Sequence, residues 1–278
     1  MNPFGSRPAI DRWHRALVTG ASSGIGDAFA RLLAANGTDL VVVARDGSRL
    51  AALADSLRED PAVPDDVEVE ILVADLSDRS EVGAVAERLG NTDSPIDLLI
   101  NNAGFGFAGD FVSLDPEREL AVVDVNIGAV QRLTHAAGTA MSERGRGGIL
   151  NVSSVAGFGP SPRTATYAAN KAFVTSFSEA VHAELGPHGV VVTCLCPGLT
   201  RTEFQDRAEY DASGIPDALW QSAEEVAEAG LRGLAAGKAI VVPGSHNKAL
   251  RAAMQAAPSS LVRRIGDASS SRLGKPGG

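Results

Sequence analysis

Short apolar, β-branched runs recur along the chain, separated by longer stretches whose apolar positions return every three or four residues. The runs at 15–19, 39–44, 67–73, 96–101, 148–153, 190–196 and 239–242 predict strands. The stretches at 25–35, 48–58, 79–89, 116–142, 166–185 and 223–236 predict helices. The first, second and sixth runs are nearly all apolar, as in strands covered on both faces. Alternation at this spacing predicts an α/β fold, a single doubly wound Rossmann-type domain with a seven-stranded parallel sheet and helices on both faces. No internal repeat or interior linker interrupts it, so residues 1–278 read as one domain, with a core over 12–245 and a tail over 246–278. The polar stretch 59–66, with Pro61 and Pro64, reads as a surface loop. Residues 200–221 have mixed polarity, with Gly214, Pro216 and Trp220, and follow a strand's carboxyl end. Ligands bind there in open α/β sheets, so this segment reads as a lid or substrate loop.

Composition narrows the function classes. With 44% hydrophobic and 21% charged residues, the chain can bury a core and is not disordered. A net charge of −9 argues against a general nucleic-acid binder, which needs clustered Lys and Arg for phosphates. Thirty glycines and 5% aromatics suggest tight turns and close backbone packing. The tail differs, with six basic residues against one acid, Asp267, and an end expected to be disordered. Its apolar positions Leu250, Met254, Leu261, Val262 and Ile265 follow a helical pattern broken at Pro258. That pattern predicts docking on the acidic body or a partner subunit, with an anionic membrane surface as the alternative. Cys194 and Cys196 read as buried core thiols on one strand face, in a chain from a reducing compartment. The five histidines show no metal spacing, and no metal is expected. Residues 1–13 carry no targeting pattern and no run approaches the ~18 apolar residues of a spanning helix, so a cytoplasmic protein is expected. Asn151-Val152-Ser153 matches a glycosylation sequon, but it sits in a run that reads as a buried strand.

Candidate chemistry begins at Thr19-Gly20-Ala21-Ser22-Ser23-Gly24-Ile25-Gly26, between the first strand and first long helix. Glycines there permit positive φ and close approach of backbone to a pyrophosphate. The helix N-terminus adds free N–H groups and a positive dipole end. The same residues also fit G-x-S-x-G, the nucleophile elbow of hydrolases. An elbow serine needs a downstream acid and histidine at strand ends and normally follows several strands.

Five further motifs follow in order. Asn101-Asn102-Ala103-Gly104 ends the fourth strand, Asn126 lies in the next helix and Ser153-Ser154 ends the fifth strand. Tyr167 and Lys171 form a YxxxK on a helix, and Pro197-Gly198 ends the sixth strand. With these motifs the chain resembles the short-chain dehydrogenase/reductase family over residues 15–243. The resemblance implies a catalytic set of Asn126, Ser154, Tyr167 and Lys171. Tyr167 and Lys171 at i and i+4 share one helix face. An ammonium beside a phenol favours the phenolate and lowers a pKa that is otherwise ~10. Tyr167 then acts as acid on a carbonyl or base on an alcohol. Ser154 lies thirteen positions before Tyr167, within the family's spacing, whereas Ser153 lies fourteen before and points to the other strand face. Asn126 holds a water behind Lys171 by the family's pattern, with a purely structural role as the alternative.

The resemblance also assigns a nicotinamide dinucleotide to Gly20, Ser22, Ser23, Gly24, Ile25 and Gly26. Asp75 and Leu76 border its adenine. Asn102, Ala103 and Gly104 flank it, as do Tyr167 and Lys171, and Pro197, Gly198, Thr200 and Thr202 hold the nicotinamide end. Ala44-Arg45 stands where NAD-preferring enzymes place a carboxylate, so Arg45 predicts NADP(H). Asp46 opposes this if it faces the ribose and is harmless if it begins the next helix. The expected activity is interconversion of a small-molecule carbonyl and a secondary alcohol. The alternative is a non-catalytic dinucleotide-binding sensor or scaffold. Phe105, Phe107, Phe158 and Leu199 are candidates for an apolar substrate wall. Phe173, Val174, Phe177 and Val181 give the helix at 166–185 more than one apolar stripe, and related proteins pair this helix, so a homodimer or homotetramer is expected.

Overall fold

The computed structural model describes residues 13–208 and 214–257. Positions 1–12, part of the loop at 209–213, and the tail beyond 257 with Pro258, Leu261, Val262 and Ile265 lie outside the described residues. Seven strands form one parallel sheet: β1 (Arg15–Thr19), β2 (Asp39–Ala44), β3 (Val69–Val73), β4 (Leu98–Asn101), β5 (Gly147–Val152), β6 (Val190–Leu195) and β7 (Ile240–Val241). Their order is β3-β2-β1-β4-β5-β6-β7, so chain direction across the sheet reverses between β1 and β4. That doubly wound parallel sheet is the one the strand–helix alternation predicts. Helices α1 (Gly24–Ala34), α2 (Gly47–Glu59) and α3 (Arg79–Leu89) connect the first strands. Helices α4 (Pro116–Val123), α5 (Val130–Glu143), α6 (Ala165–Leu185), α7 (Phe204–Arg207), α8 (Ala223–Ala235) and α9 (Ser245–Ala256) follow.

Two-residue alternation divides the core. From β1, Ala16 and Val18 pack with Phe29 and Leu33 of α1, Leu50 of α2 and Leu231 of α8. Leu17 faces the opposite way, with Val85 of α3 and Leu133 and Met141 of α5. Each central strand buries both faces, hence the runs with no polar interruption. The helices start where their sequences place side-chain acceptors. Asp46, Asp78, Asp115 and Ser222 cap α2, α3, α4 and α8.

One predicted helix is corrected. The stretch at 116–142 is two α-helices joined by a π-helical segment at Asp124–Ala129. Apolar periodicity runs through both halves, so it does not register a widened turn. The beginning of the basic stretch, through Ala256, is α9, which packs beside the short 3₁₀ turn at Val155–Phe158. No described helix is long and apolar enough to cross a membrane.

Candidate active site

The carboxyl ends of the strands open into a cavity of about 1160 Å³. Its first half is built on the glycine turn. Ser23 is the N-cap of α1 but makes no side-chain cap bond, leaving the first amides of the helix without that partner. Asn102 ties the turn to β4: its Nδ2 donates to the carbonyls of Thr19 at 3.0 Å and Gly20 at 3.3 Å. In return Thr19 Oγ1 accepts from the amides of Asn102 and Ala103, both at 3.0 Å. A Cβ at Gly26 would stand 2.2 Å from the Gly20 carbonyl oxygen, so only glycine lets α1 enter against the turn. Across the groove, the Thr202 methyl lies over Gly24 and brings the segment after β6 against the turn. Ser22, Ser23, Gly24 and Ile25 line the cavity, as do Asn102, Ala103 and Gly104. A turn this open toward the cavity, at a helix N-terminus, fits the pyrophosphate of a dinucleotide.

At the outer end Ala44, Arg45, Asp75 and Leu76 line the same cavity. Asp46 does not. Its Oδ1 accepts from Ser48 Oγ at 2.6 Å and the Arg49 amide at 3.0 Å. Those bonds, led by the Ser48 hydroxyl, hold its carboxyl below the usual range. Asp46 therefore begins α2, the harmless one of its two possible placements. Asp75 is likewise lowered, chiefly by the Ser77 amide and least among the attractive contributions by the Arg45 charge.

The second half gathers at the end of β5. Ser154, Tyr167 and Lys171 line the cavity together with Pro197, Gly198, Thr200 and Thr202. The Ser154 hydroxyl favours the ionised form of the Tyr167 phenol. Ser153 points away, its Oγ donating to the Lys171 carbonyl at 2.7 Å. Strand alternation thus separates the two serines as expected. The Lys171 ammonium donates to the Val152 carbonyl at 2.9 Å and lies 5.6 Å from the centre of the Tyr167 ring.

Burial dominates the ionisation of both groups. It pushes the Tyr167 phenol up to about 12, with Ser154 opposing, and the Lys171 ammonium down to about 8, with the thiols of Cys194 and Cys196 opposing. The expected lowering of Tyr167 by its lysine is not met in the protein alone, because desolvation of the phenolate outweighs a charge at this separation. Nucleotide-stripped protein carrying Tyr210→Phe should show no phenolate absorbance from Tyr167 at pH 10, where a free phenol is half ionised. A midpoint near 10 in the folded protein refutes this.

Asn126 does not line the cavity. It sits in the π segment, fully buried, with Nδ2 donating to the Phe105 carbonyl at 2.8 Å and Oδ1 accepting the Phe105 amide at 3.2 Å. A Cβ at Gly104 would lie 2.9 Å from Asn126 Oδ1 and 3.3 Å from Lys171 Nζ, so that glycine keeps a gap between the two side chains. Gly26 also stays behind the cavity wall, as the turn's packing requires.

On the substrate side Phe105, Phe107, Leu199 and Phe204 line the cavity, and the Phe204 ring lies 5.3 Å from that of Tyr167. Phe158 does not join them. It packs against Cys194, Cys196 and Val242, with the Arg251 guanidinium 5.2 Å from its ring. The wall includes residues that sequence reasoning left out, Leu250 and Met254 of α9. Their four-residue spacing was legible as an apolar stripe, but not its destination. α9 is held there by the buried Asn247, whose Nδ2 donates to Gln221 Oε1 at 3.0 Å and the Pro243 carbonyl at 2.8 Å. Among the described residues no histidine lines the cavity, so the serine-elbow reading has no base.

The sequence matches the short chain dehydrogenase family model over residues 14–212. It is 34% identical to nodulation protein G of a Rhizobium species over 235 residues, covering 83% of this chain and 92% of that one. A short-chain dehydrogenase from Sphingobium yanoikuyae in complex with NADPH superposes with a TM-score of 0.79 at 37% identity, covering 90% of this chain and 95% of that one. The bulky-bulky ketone specific alcohol dehydrogenase from Comamonas testosteroni gives 0.74 at 33% identity, with 88% and 95% covered.

Proposed function

From the premise that this chain belongs to the short-chain dehydrogenase family, we propose that it is an NADP(H)-dependent oxidoreductase interconverting an apolar ketone and its secondary alcohol. The carrying observation is that Ser154, Tyr167 and Lys171 converge on one cavity with the open end of α1. When bound, a nicotinamide dinucleotide supplies or accepts the hydride. Gly20, Ser22, Ser23, Gly24 and Ile25 would hold its pyrophosphate, and Arg45 its 2′-phosphate. Ser154 donates a hydrogen bond to the substrate oxygen and stabilises charge developing there. Tyr167 delivers the proton to that oxygen or removes it. Lys171 supplies a positive charge beneath the phenol and, through the gap at Gly104, faces Asn126. The aromatic wall and α9 exclude water and favour a bulky apolar substrate. A ketone panel with NADPH, followed at the nicotinamide absorbance, tests the reading. Tight NADPH binding with no turnover of any ketone would support the scaffold alternative instead.

Cofactor choice rests on Arg45, with Asp46 engaged as a helix cap. NADPH is expected to bind about tenfold more tightly than NADH, roughly 1.4 kcal/mol. Charge-assisted bonds to a phosphate at an exposed guanidinium are of that size. The preference shrinks at higher salt, since the site faces solvent. Ala44→Asp combined with Arg45→Gln should reverse it, by adding an acceptor for the 2′-OH and a charge that repels phosphate. Equal kcat/KM for both cofactors at low salt contradicts the assignment.

Assembly is proposed to be a homodimer or homotetramer. Phe173 and Phe177 stack on α6 with centroids 5.6 Å apart, and both stay only half-buried in the single chain. Light scattering at micromolar concentration should return a multiple of 28.6 kDa. A monomer mass removes this assignment.

A further inference from the structure

Two consecutive residues at the end of β5, Val152 and Ser153, bond different points of α6. The Val152 carbonyl accepts from the Lys171 ammonium at 2.9 Å, and Ser154 lines the same cavity as Tyr167. Between them Ser153 turns into the protein. Its Oγ lies 2.7 Å from the Lys171 carbonyl oxygen and 2.8 Å from Thr175 Oγ1. Thr175 Oγ1 in turn lies 2.9 Å from that same carbonyl. The three oxygens form a closed triangle, and Ser153, Lys171 and Thr175 are all buried. Both thiols stand 3.9 Å from Thr175 Oγ1.

The α6 helix does not need this triangle for its own hydrogen bonding. Lys171 lies well inside α6, where a carbonyl is served by the amide four residues on. Removing both hydroxyls together therefore leaves no orphaned backbone group, and the two partners vanish at once. The triangle instead ties the backbone of one turn to the strand end that also receives that turn's ammonium.

We infer that Ser153 and Thr175 are positioning residues for Lys171: their hydroxyls lock the lysine's backbone to the end of β5 and so set where its ammonium stands relative to Tyr167. The inference rests on the proposed pairing of Tyr167 with Lys171. The titratable groups facing the ammonium are Tyr167 on its own helix, Cys194 on β6 and Cys196 just past its end, with Arg251 of α9 acting on Cys196. Asn126 faces it from the π segment, across Gly104. With the lock removed, the side chain relaxes toward the water of the cavity. Its ammonium is then better solvated, so its pKa rises, and its pull on the phenol weakens.

The chain has only four lysines, at 171, 238, 248 and 275, so ¹³C-labelled lysine gives a resolvable titration, with Lys171→Arg as the assignment control. The Lys171 midpoint is expected to move up by about one pH unit in Ser153→Ala/Thr175→Val. The acid limb of kcat for alcohol oxidation should move up with it, while the melting temperature changes little. Thr175→Ser keeps the hydroxyl and should restore both profiles in the wild-type Ser153 background, where Thr175→Val should shift them partway. Wild-type titration and pH profile in the double variant overturn the inference, whatever its melting temperature. A wild-type enzyme that turns over no ketone or alcohol refutes the functional reading instead, and the lysine titration still decides the positioning.

Discussion

Tyr167→Phe is expected to lower kcat by roughly 10²–10⁴-fold, the contribution of one positioned general acid, while leaving NADPH affinity within about threefold of wild type. The substitution removes a single oxygen. Phenylalanine keeps the ring against Phe204 and against Gly106, where a Cβ would stand 2.7 Å from the ring. It loses only the hydroxyl, whose ionisation Ser154 favours. Ser154 then has a donor but no proton source beside it. The pH dependence carries a sign. In alcohol oxidation Tyr167 must be deprotonated, so activity rises with pH up to the phenol's pKa in the working enzyme. In ketone reduction it must be protonated, so activity falls above that pKa. Burial places the phenol at about 12 in the protein alone, and a cationic oxidised nicotinamide, when bound, would lower it. The oxidation limb should therefore lie below the midpoint of the nucleotide-stripped protein. Near-normal kcat in Tyr167→Phe, measured with NADPH binding intact, contradicts the mechanism.

Gly26→Ala is expected to weaken NADPH binding by at least about a hundredfold, roughly 2.8 kcal/mol, and to lower the melting temperature. Helix propensity argues the other way, since alanine in a helix is favoured over glycine by about 1 kcal/mol. The geometry decides against propensity. The new Cβ would lie 2.2 Å from the Gly20 carbonyl oxygen and 2.5 Å from Asn102 Nδ2. Neither neighbour is a free side-chain end. One is backbone, and the other is bonded to Thr19 and Gly20. Relief requires α1 to draw back from the turn, which separates its open amides from the groove. Fluorescence titration of NADPH and a thermal melt measure both effects without catalysis. Wild-type affinity in a Gly26→Ala protein would mean that the turn does not hold the pyrophosphate.

Strand and helix identities and their parallel arrangement were legible in the chain because each depends on local periodicity, whereas Ser154, Tyr167 and Lys171 were marked by the resemblance of their motifs to those of the family. Alternation carried past the end of β5 separates Ser153 from Ser154, and four-residue spacing along α6 aligns Tyr167 with Lys171. The π segment around Asn126 was not legible. Its widened turn interrupts an apolar stripe without changing the residue types, and the Asn126 bonds to Phe105 span twenty-one positions of sequence. Asp46 had two readings until its bonds to Ser48 and Arg49 turned it into a cap. Phe158 and Leu250 show the same division. Both carry an apolar signal, yet packing sends Phe158 under Arg251 and Leu250 into the cavity wall. Local sequence determines which residues are apolar and which faces they share, because those follow from backbone geometry a few residues long. Where each face comes to rest, and how far burial shifts Tyr167 and Lys171, depend on groups brought together from distant segments, and only the tertiary structure decides them.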